Sequence, residues 1–446
     1  LRITTSALDI LADEGYDPEY GARPLRRAIQ SKVEDLLSDQ IISGEIKSGD
    51  RVTIGGSQGN ITLRHRGQSN KESEENNGEK VEDQDTSDKG EEVDNKDTSD
   101  NEIELDDNSL YLTTDQGTID DKSFNQASYE GLKQYADEKG VKANYIRPMG
   151  EGDQIYLQAI EQAVDAGAKV VVTPGFLFET AIPEAQKKFP EVKFICVDFE
   201  PRDLESGENV VADNTVSIMY KENQPGFLAG YAAVKEGYTN LGFMGGVAVP
   251  SVIRYGFGYV AGAAYAGKEM GVDVNVKFHY TGTFNENPEI KTKAASWYKE
   301  GTEIIFVAGG GIYRSIISAA ADADTMIIGV DSDQKDEGPQ VLTSALKNVK
   351  GTVYENVKKA IEGGFPGGES LHLGIEDDAI GLPEDFSRFN NFNEDDYQAI
   401  LKKLKDNEDG ILDNLPNINF DLPENEQSDP TFLEEVYDNL KVDYVK

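Results

Sequence analysis

From residue 108 onward, short apolar runs alternate with stretches in which apolar residues recur at helical spacing. The apolar runs predict strands at Leu110–Thr114, Lys142–Ile146, Lys169–Thr173, Lys193–Val197, Leu241–Met244, Val274–Tyr280, Glu303–Val307 and Met326–Val330. The periodic stretches predict helices at Ser123–Lys139, Gln154–Ala166, Gly226–Lys235, Ile253–Met270 and Tyr313–Ala321. Strand–helix–strand alternation is typical of parallel sheets with helices on both faces. About 340 residues is long for one such sheet, so we expect an α/β fold of two similar lobes.

The first 66 residues have a different pattern, which predicts a small α+β module. Thr5-Ser6 precede one apolar stretch and Pro24-Leu25 open a longer one, so two helices are expected here. Arg51–Ile54 and Asn60–Leu63 are expected as short strands after the turns at Gly44 and Gly49.

Residues 67–107 are a third kind of sequence. They contain 4 basic and 17 acidic residues and no aromatic residue, and the phrase DTSD occurs at Asp85–Asp88 and again at Asp97–Asp100. Such a segment cannot bury enough apolar surface to offset the entropy of ordering, so we expect a disordered acidic linker. A docking element for a basic partner is the alternative, and the pattern favours a plain spacer.

Charge and composition exclude several classes of function. The formal net charge of −40 argues against nucleic-acid binding, which needs clustered basic residues, and against adhesion to anionic lipid. One cysteine and three scattered histidines provide no ligand set at metal-binding spacing, and we expect no cofactor. No apolar run approaches the ~20 residues of a membrane span. The first residues show no basic and apolar regions of the kind found in signal peptides, so we expect no signal peptide there.

The candidate chemistry lies at the ends of the predicted strands. Asp115, Asp198 and Asp331 each follow a strand, and glycine turns follow three others at Pro174-Gly175, Gly245-Gly246 and Gly309–Gly311. Open α/β sheets bind ligands outside the carboxyl ends of their strands, so these residues should border one crevice. Carboxylates accept hydrogen bonds from the vicinal hydroxyls of a sugar, and glycines let backbone amides approach a ligand.

Each of these residues also has a purely structural explanation. A lone Asp after a strand is often a helix cap or turn residue, and Gly309–Gly311 could serve only tight strand-to-helix packing. Phe124 and Phe284 could belong to the core, and Cys196 lies in an apolar run where it is expected as a small core side chain. The shared position at the strand ends is what favours a ligand site.

The same residues carry a resemblance to a known family. The segments TTDQGTIDDKSFNQASYEGL, FICVDFE, ENQPGFLAGYAA, LGFMGG, YTGTF, VAGGG and IIGVDSDQ resemble the signature segments of the BMP or PnrA-like substrate-binding lipoproteins of ABC transporters. The resemblance spans about residues 108–381. It implies the type I periplasmic-binding-protein fold with a hinge, a purine nucleoside ligand, a permease partner and no catalysis. It also implies a monomer that is lipid-anchored on the extracytoplasmic face of the cell membrane.

The resemblance further implies which residues contact the base. Phe124 of DKSFN and Phe284 of YTGTF would sandwich it, and Asn125 would meet its edge.

A second group would hold the ribose and the polar atoms of the base. By the same resemblance, Asp115, Asp198 and Asp331 would accept hydrogen bonds from ribose hydroxyls or base atoms. Gly310 would offer a backbone contact, and Lys347 of SALK would reach the ribose side.

The N-terminal module carries a second resemblance. EGYDPEYGARPLRRAIQ (Glu14–Gln30), with LLSDQIISGEIKSGDRVTI after it, is similar to the C-terminal lid subdomain of Clp-type protein-unfolding ATPases. In that family the arginine of the GAR triplet, Arg23 here, senses the phosphates of the nucleotide. The sequence contains no G-x-x-x-x-G-K-[ST] loop, so we do not expect an ATPase, and Arg23 alone is read as a surface or helix-capping residue.

The chain departs from the BMP family in its organisation. The lipid-anchoring cysteine expected near the N-terminus is absent, and the Clp-like module stands in its place. A natural fusion, an artificial joining and a misjoined reading frame all fit this arrangement. Residues 382–446 form a polar tail that we place only loosely, on the second lobe or the hinge side.

A nucleoside-binding component of an importer is therefore the leading hypothesis. A nucleoside-processing enzyme is one alternative, since carboxylates near a ribose could act as acid or base, but no nucleophile is paired with a His or Cys. A cytosolic ligand-sensing regulator or adaptor docked to a Clp ATPase is the other.

Overall fold

The computed structural model describes residues 2–3, 32–33, 51–57, 60–66, 104–423 and 425–445. The chain divides into two compact units, residues 1–95 and residues 96–446, which are described separately.

In the first unit, the described residues form a small sheet. Strand β1 (Arg2–Ile3) pairs in parallel with β2 (Arg51–Ser57), which forms an antiparallel hairpin with β3 (Asn60–Arg66). The two strands predicted here are confirmed, each three residues longer than expected. Arg23 and the two predicted helices, apart from residues 32–33, lie outside the described residues, as does the acidic linker apart from residues 104–107.

The second unit contains two lobes, each built on its own sheet. The strands of lobe 1 are β4 (Leu110–Thr113), β5 (Ala143–Ile146), β6 (Val170–Pro174), β7 (Lys193–Val197), β8 (Thr215–Tyr220) and β14 (Ser370–Leu373). Their order across the sheet is β14-β8-β7-β6-β4-β5, and every pair is parallel. The helices that join or cover them are α1 (Phe124–Lys139), α2 (Asp153–Asp165), α3 (Ile182–Lys188) and α8 (Val349–Glu362). Their buried faces make a core of Val, Ile, Leu and aromatic side chains against the sheet.

Lobe 2 repeats this plan. Its strands are β9 (Asn240–Gly245), β10 (Val274–Tyr280), β11 (Ile304–Ala308), β12 (Met326–Asp331), β13 (Val341–Lys347), β15 (Ile380–Gly381) and β16 (Leu440–Tyr444). They lie in the order β15-β13-β12-β11-β9-β10-β16, parallel except where β15 pairs with β13. The helices are α4 (Asn223–Glu236), α5 (Pro250–Met270), α6 (Pro288–Lys299), α7 (Tyr313–Ala323) and α9 (Glu394–Lys405).

Strand membership shows where the chain passes from one lobe to the other. Between residues 104 and 423 it crosses after β8, after β13 and again between β14 and β15. Helix α8, which follows β13 of lobe 2, packs against α1 of lobe 1. The three crossing segments are neighbours, because Lys221 N–H donates to the carbonyl oxygen of Leu373 and Asn348 N–H donates to that of Ala379. Such an arrangement is typical of a hinge between two lobes.

The eight predicted strands are confirmed, each to within one residue at either end. The five predicted helices are also present, although α4 and α5 begin three residues earlier than expected because Pro225 and Pro250 are tolerated in a first helical turn. Strands β8 and β13 were not predicted. Both contain buried Ser and Thr residues, at Ser217, Thr343 and Ser344, which interrupt the apolar run.

The polar tail belongs to lobe 2. Helix α9 contacts α4, and β16 adds a seventh strand in parallel with β10, from Val274 opposite Leu440 to Phe278 opposite Tyr444. No helix in the described ranges has both the length and the apolar character to cross a membrane.

Candidate functional site

A cavity lies between the lobes, at the carboxyl ends of strands from both sheets. All eight residues that the resemblance implied as ligand contacts line it: Asp115, Phe124, Asn125, Asp198, Phe284, Gly310, Asp331 and Lys347. Of the glycine turns that we expected at the crevice, Gly175 and Gly309–Gly311 line the cavity, whereas Gly245-Gly246 does not. Phe124 comes from α1 of lobe 1 and Phe284 from the β10–α6 loop of lobe 2, so the two rings approach the cavity from opposite lobes. The structure thus brings the eight together, and their contact with a ligand stays a prediction.

On the lobe 1 side, hydrogen bonds fix the orientation of Asn125. Its Nδ2 donates to Asp115 Oδ1 at 3.1 Å and to Asp121 Oδ2 at 3.2 Å. Two carboxylate acceptors hold the amide nitrogen, so Oδ1 faces away from them. That oxygen is buried and has no hydrogen-bond partner among the described residues. It is available as an acceptor for an N–H or O–H group of a ligand.

Asp121 lines the same cavity and was missed in the sequence. Its carboxylate accepts hydrogen bonds from the backbone N–H groups of Ser123 (2.9 Å), Asn125 (3.0 Å) and Gln126 (3.1 Å), so it caps α1. Burial raises its pKa to about 6, against the lowering effect of those hydrogen bonds. An Asp two residues before Ser123 at a predicted helix start was the available signal.

Lys347 is the centre of a buried charge cluster at the hinge. Its Nζ donates to Asp198 Oδ2 at 2.6 Å and lies 3.1 Å from Glu222 Oε1 and 3.9 Å from Asp331 Oδ1. Its side chain is almost fully buried. Asp198 comes from lobe 1 and Asp331 from lobe 2, so one ammonium group connects carboxylates of both lobes. Its Nζ is also 5.2 Å from the centre of the Phe124 ring.

The cluster shifts the protonation of its members. Burial raises the pKa of Asp198 to about 7, although Lys347 opposes the shift. Burial would likewise raise the pKa of Glu222, but Arg254 and Lys347 outweigh it and the pKa is lowered. Burial disfavours the charged form of Lys347, yet the neighbouring carboxylates raise its pKa, so the ammonium group stays protonated. Asp198 Oδ1 is buried with no hydrogen-bond partner in the described part of the chain.

The aspartates at the ends of β7 and β12 share an unusual backbone conformation. Asp198 has φ 69° and Asp331 has φ 63°, both in the left-handed region. Asp visits this region more readily than most residues, but the conformation still carries a cost. Two equivalent strand ends in two lobes therefore turn the same way, and each directs a carboxylate toward the cavity.

Glycines on the lobe 2 side create space for Phe284. A Cβ atom on Gly246 would lie 2.5 Å from Phe284 Cδ1, and a Cβ on Gly309 would lie 2.7 Å from the backbone nitrogen of Gly246. Gly309 thus serves close packing, which was the structural explanation for the glycine run. Gly310, with φ 51°, lines the cavity.

Two further residues complete the site. The Tyr255 hydroxyl donates to Asp331 Oδ1 at 3.2 Å from inside α5, and Arg254 pairs with Glu222. Neither was identified in the sequence, because nothing local distinguishes them from ordinary helix residues. Cys196 is fully buried, as expected of a core side chain, and burial raises its pKa to about 12.

Two family models match the chain. Residues 109–413 match the model described as ABC transporter substrate-binding protein PnrA-like. Residues 1–54 match the C-terminal, D2-small domain of ClpB protein. Both resemblances drawn from the sequence are confirmed.

Curated relatives and solved structures agree with the first match. The chain is 31% identical to the CD4+ T-cell-stimulating antigen of Listeria monocytogenes, over 69% of this chain and 87% of that protein. It is 30% identical to the ABC transporter nucleoside-binding protein BmpA of Lactococcus lactis, over 68% and 87% of the two chains. A solute-binding protein of an ABC transporter system from Aeropyrum pernix K1 superposes with a TM-score of 0.62 at 22% identity, over 74% of this chain and 98% of that one.

The structural likeness confirms the expected fold, that of a type I periplasmic binding protein. Together with the family match over residues 109–413, it shows that the chain belongs to the PnrA-like family of ABC transporter substrate-binding proteins, which bind a solute rather than transform it.

Proposed function

We propose that the interlobe cavity binds a purine nucleoside and that the chain delivers it to the permease of an ABC importer. In this proposal the protein acts as a monomer on the extracytoplasmic face of the membrane. Binding closes the two lobes about the hinge, and the permease recognises the closed surface.

The observation that carries the proposal is the convergence of eight separately placed residues on one cavity. Their chemistry suits a nucleoside. Two phenyl rings from opposite lobes, Phe124 and Phe284, offer faces for a flat base, and each stacking contact contributes about 1–3 kcal/mol. The unpaired oxygens of Asn125 and Asp198 require N–H or O–H donors, which the edge of a purine and the hydroxyls of a ribose supply.

The charge of the cavity supports an uncharged ligand. Five carboxylates (Asp115, Asp121, Asp198, Glu222 and Asp331) lie in or beside it, against the two cations Lys347 and Arg254. An added phosphate would meet this excess of negative charge in a buried place, where charges are poorly screened. A nucleoside without phosphate avoids that repulsion. The nucleoside-binding relative from Lactococcus lactis supports the same ligand class.

Isothermal titration of the purified chain with guanosine, inosine and adenosine tests the proposal. We expect a 1:1 complex of about micromolar affinity, roughly 8 kcal/mol, with guanosine monophosphate binding at least tenfold more weakly. If none of the three nucleosides gives a heat of binding at millimolar concentration, the proposal is wrong.

The Phe124→Ala variant tests the role of the ring in particular. Loss of one stacking contact should weaken nucleoside binding by about 1–3 kcal/mol, or roughly 5- to 150-fold, with little change in melting temperature. Phe189→Ala is a matched control, since Phe189 is also half-buried in lobe 1 but does not line the cavity. A large drop in melting temperature with unchanged affinity for Phe124→Ala would show that this ring belongs to the core instead.

A further inference from the structure

The loop between β4 and α1, residues 114–123, is the part of lobe 1 that meets lobe 2 across the cavity. We call it the rim loop. It contributes Asp115, Gly117 and Asp121 to the cavity lining. Within lobe 1 it is held firmly, because Gly117 N–H donates to Asp115 Oδ1 at 2.8 Å and the Asp121 carboxylate caps α1. A movement of lobe 2 relative to lobe 1 therefore cannot be absorbed by this loop alone.

Lobe 2 contacts the rim loop through a short series of polar bonds. Gln334 Nε2 donates to the carbonyl oxygen of Lys122 at 2.9 Å, and Arg314 Nη2 donates to the carbonyl oxygen of Asp120 at 2.8 Å. Ser123 Oγ also donates to Asp331 Oδ2 at 2.6 Å. All of these bonds lie within four consecutive residues of the rim loop.

Hydrogen bonds within lobe 2 orient the Gln334 side chain toward the rim loop. It is 2% exposed, and its backbone N–H donates to Ser344 Oγ at 3.0 Å. The backbone N–H of Val330 donates to Gln334 Oε1 at 3.2 Å, which fixes the oxygen inside lobe 2. The amide nitrogen must then point outward, where its acceptor is a carbonyl of the other lobe. When the lobes separate, the acceptor at Lys122 is lost.

Arg314 acts on the same loop from the rim. It lies in the first turn of α7, and the group that its guanidinium reaches in lobe 1 is a backbone carbonyl. Neither Arg314 nor Gln334 lines the cavity, so neither is placed to touch a ligand. Their bonds to lobe 1 depend on the closed arrangement of the lobes and on nothing else in the site.

We propose that Gln334 and Arg314 form a latch that holds the rim loop against lobe 2 and so slows the release of a bound ligand. They are positioning residues, and the latch sets how long the closed form persists. A ligand leaves only when the lobes open, so weakening the latch raises the dissociation rate while leaving association largely unchanged.

Two variants test the latch. Gln334→Glu keeps an oxygen for Val330 N–H but places a second oxygen against the Lys122 carbonyl. Arg314→Ala removes a partly exposed guanidinium whose other contact lies within lobe 2, 5.5 Å from the centre of the Tyr313 ring. Arg202→Ala is the matched control, because Arg202 Nε donates to Gly207 O at 3.1 Å within lobe 1 and crosses no lobe boundary.

Stopped-flow release of guanosine from the full chain is the primary measurement, which rests on the proposed function for its choice of ligand. We expect dissociation about 5- to 30-fold faster for Gln334→Glu and about 3- to 10-fold faster for Arg314→Ala. Association rates should stay within about twofold, and the control should not change. Unchanged dissociation rates in both latch variants would overturn the proposal. A loss of affinity that comes from slower association, with dissociation unchanged, would also overturn it.

A second measurement separates failure of the latch from failure of the ligand assignment. Fluorophores attached through Glu151→Cys and Glu286→Cys, exposed positions on the two lobes, report the interlobe distance without any ligand. The native Cys196 is fully buried and does not compete for the label. If the wild-type protein binds no nucleoside, the proposed ligand is wrong. The latch proposal can still be tested, because it predicts lower energy transfer between the two fluorophores in Gln334→Glu and Arg314→Ala than in wild type. Equal transfer in all three would overturn the latch.

Discussion

Replacing Lys347 with methionine should destabilise the protein in a manner that depends on pH. The substitution keeps most of the volume and removes an ammonium group that lies within 4 Å of Asp198, Glu222 and Asp331. Removing one partner of a buried ion pair typically costs about 3–5 kcal/mol, because the remaining charge stays buried without compensation. Three carboxylates share this lysine, so we expect the upper part of that range at pH 8.

The sign of the pH effect follows from the pKa of Asp198. Burial already raises it to about 7, above the ~3.9 of an unfolded Asp. A carboxyl whose pKa is higher in the folded state stabilises the fold when it is protonated, and that contribution is lost as the pH rises through the folded-state pKa. Without Lys347 the pKa should rise further. As the pH falls from 8 toward 5, the free energy of unfolding of the variant should therefore increase. The increase is about 1.4 kcal/mol per pH unit for each proton that the folded state binds in excess of the unfolded state.

Trp297, the single tryptophan, is buried in α6 and reports the unfolding of lobe 2. Urea unfolding followed by its fluorescence at pH 8 and pH 5 gives the two free energies. Lys350→Met is the matched control, since Lys350 pairs with Glu130 at 3.7 Å on the surface and should cost less than about 1 kcal/mol at either pH. A loss below about 1 kcal/mol for Lys347→Met, or a loss equal at both pH values, would refute the reasoning.

Two further changes test other parts of the site and fold. Gly246→Ala should weaken nucleoside binding about tenfold in a calorimetric titration, because the added methyl group would lie 2.5 Å from a carbon of the Phe284 ring; unchanged affinity would show that the ring position does not matter. Glu236→Ala should let the tail unfold at a lower temperature than in wild type and expose residues near 390 to proteases. The reason is that the Glu236 carboxylate accepts hydrogen bonds from the backbone N–H groups of Asn390, Asn391 and Phe392 at 2.8–3.0 Å. Mass spectrometry of the cleavage products would show this, and a tail as resistant as in wild type would contradict it.

The sequence predicts the strands whose apolar residues are continuous or alternate regularly, and the residues at their ends. Asp115, Asp198 and Asp331 could be placed at one crevice because parallel strands end at the same edge of a sheet. Some strands that escaped prediction combine burial with polar residues, such as β8 with Ser217. Strand β16 did carry a signal, because buried Leu440 and Val442 alternate with exposed Lys441 and Asp443, as in a half-buried edge strand.

The charge cluster at the hinge could not be predicted in full. Glu222 precedes a helix and Arg254 lies within one, and nothing in the sequence near either residue indicates that both belong to the cluster around Lys347. Whether a charge is buried depends on how the two lobes pack, which is a tertiary property. The contacts of Gln334 and Arg314 with the rim loop depend on the same packing. Local patterns thus locate the two halves of the cavity, and the fold determines how they are joined.

The most direct test of the account is a crystal structure of the chain grown with guanosine. The account predicts density for the base between the rings of Phe124 and Phe284, with its polar atoms or the ribose hydroxyls within hydrogen-bond distance of Asp115, Asp198 or Asp331. Density for guanosine elsewhere, or an interlobe cavity that stays without nucleoside in crystals grown at millimolar guanosine, would contradict it.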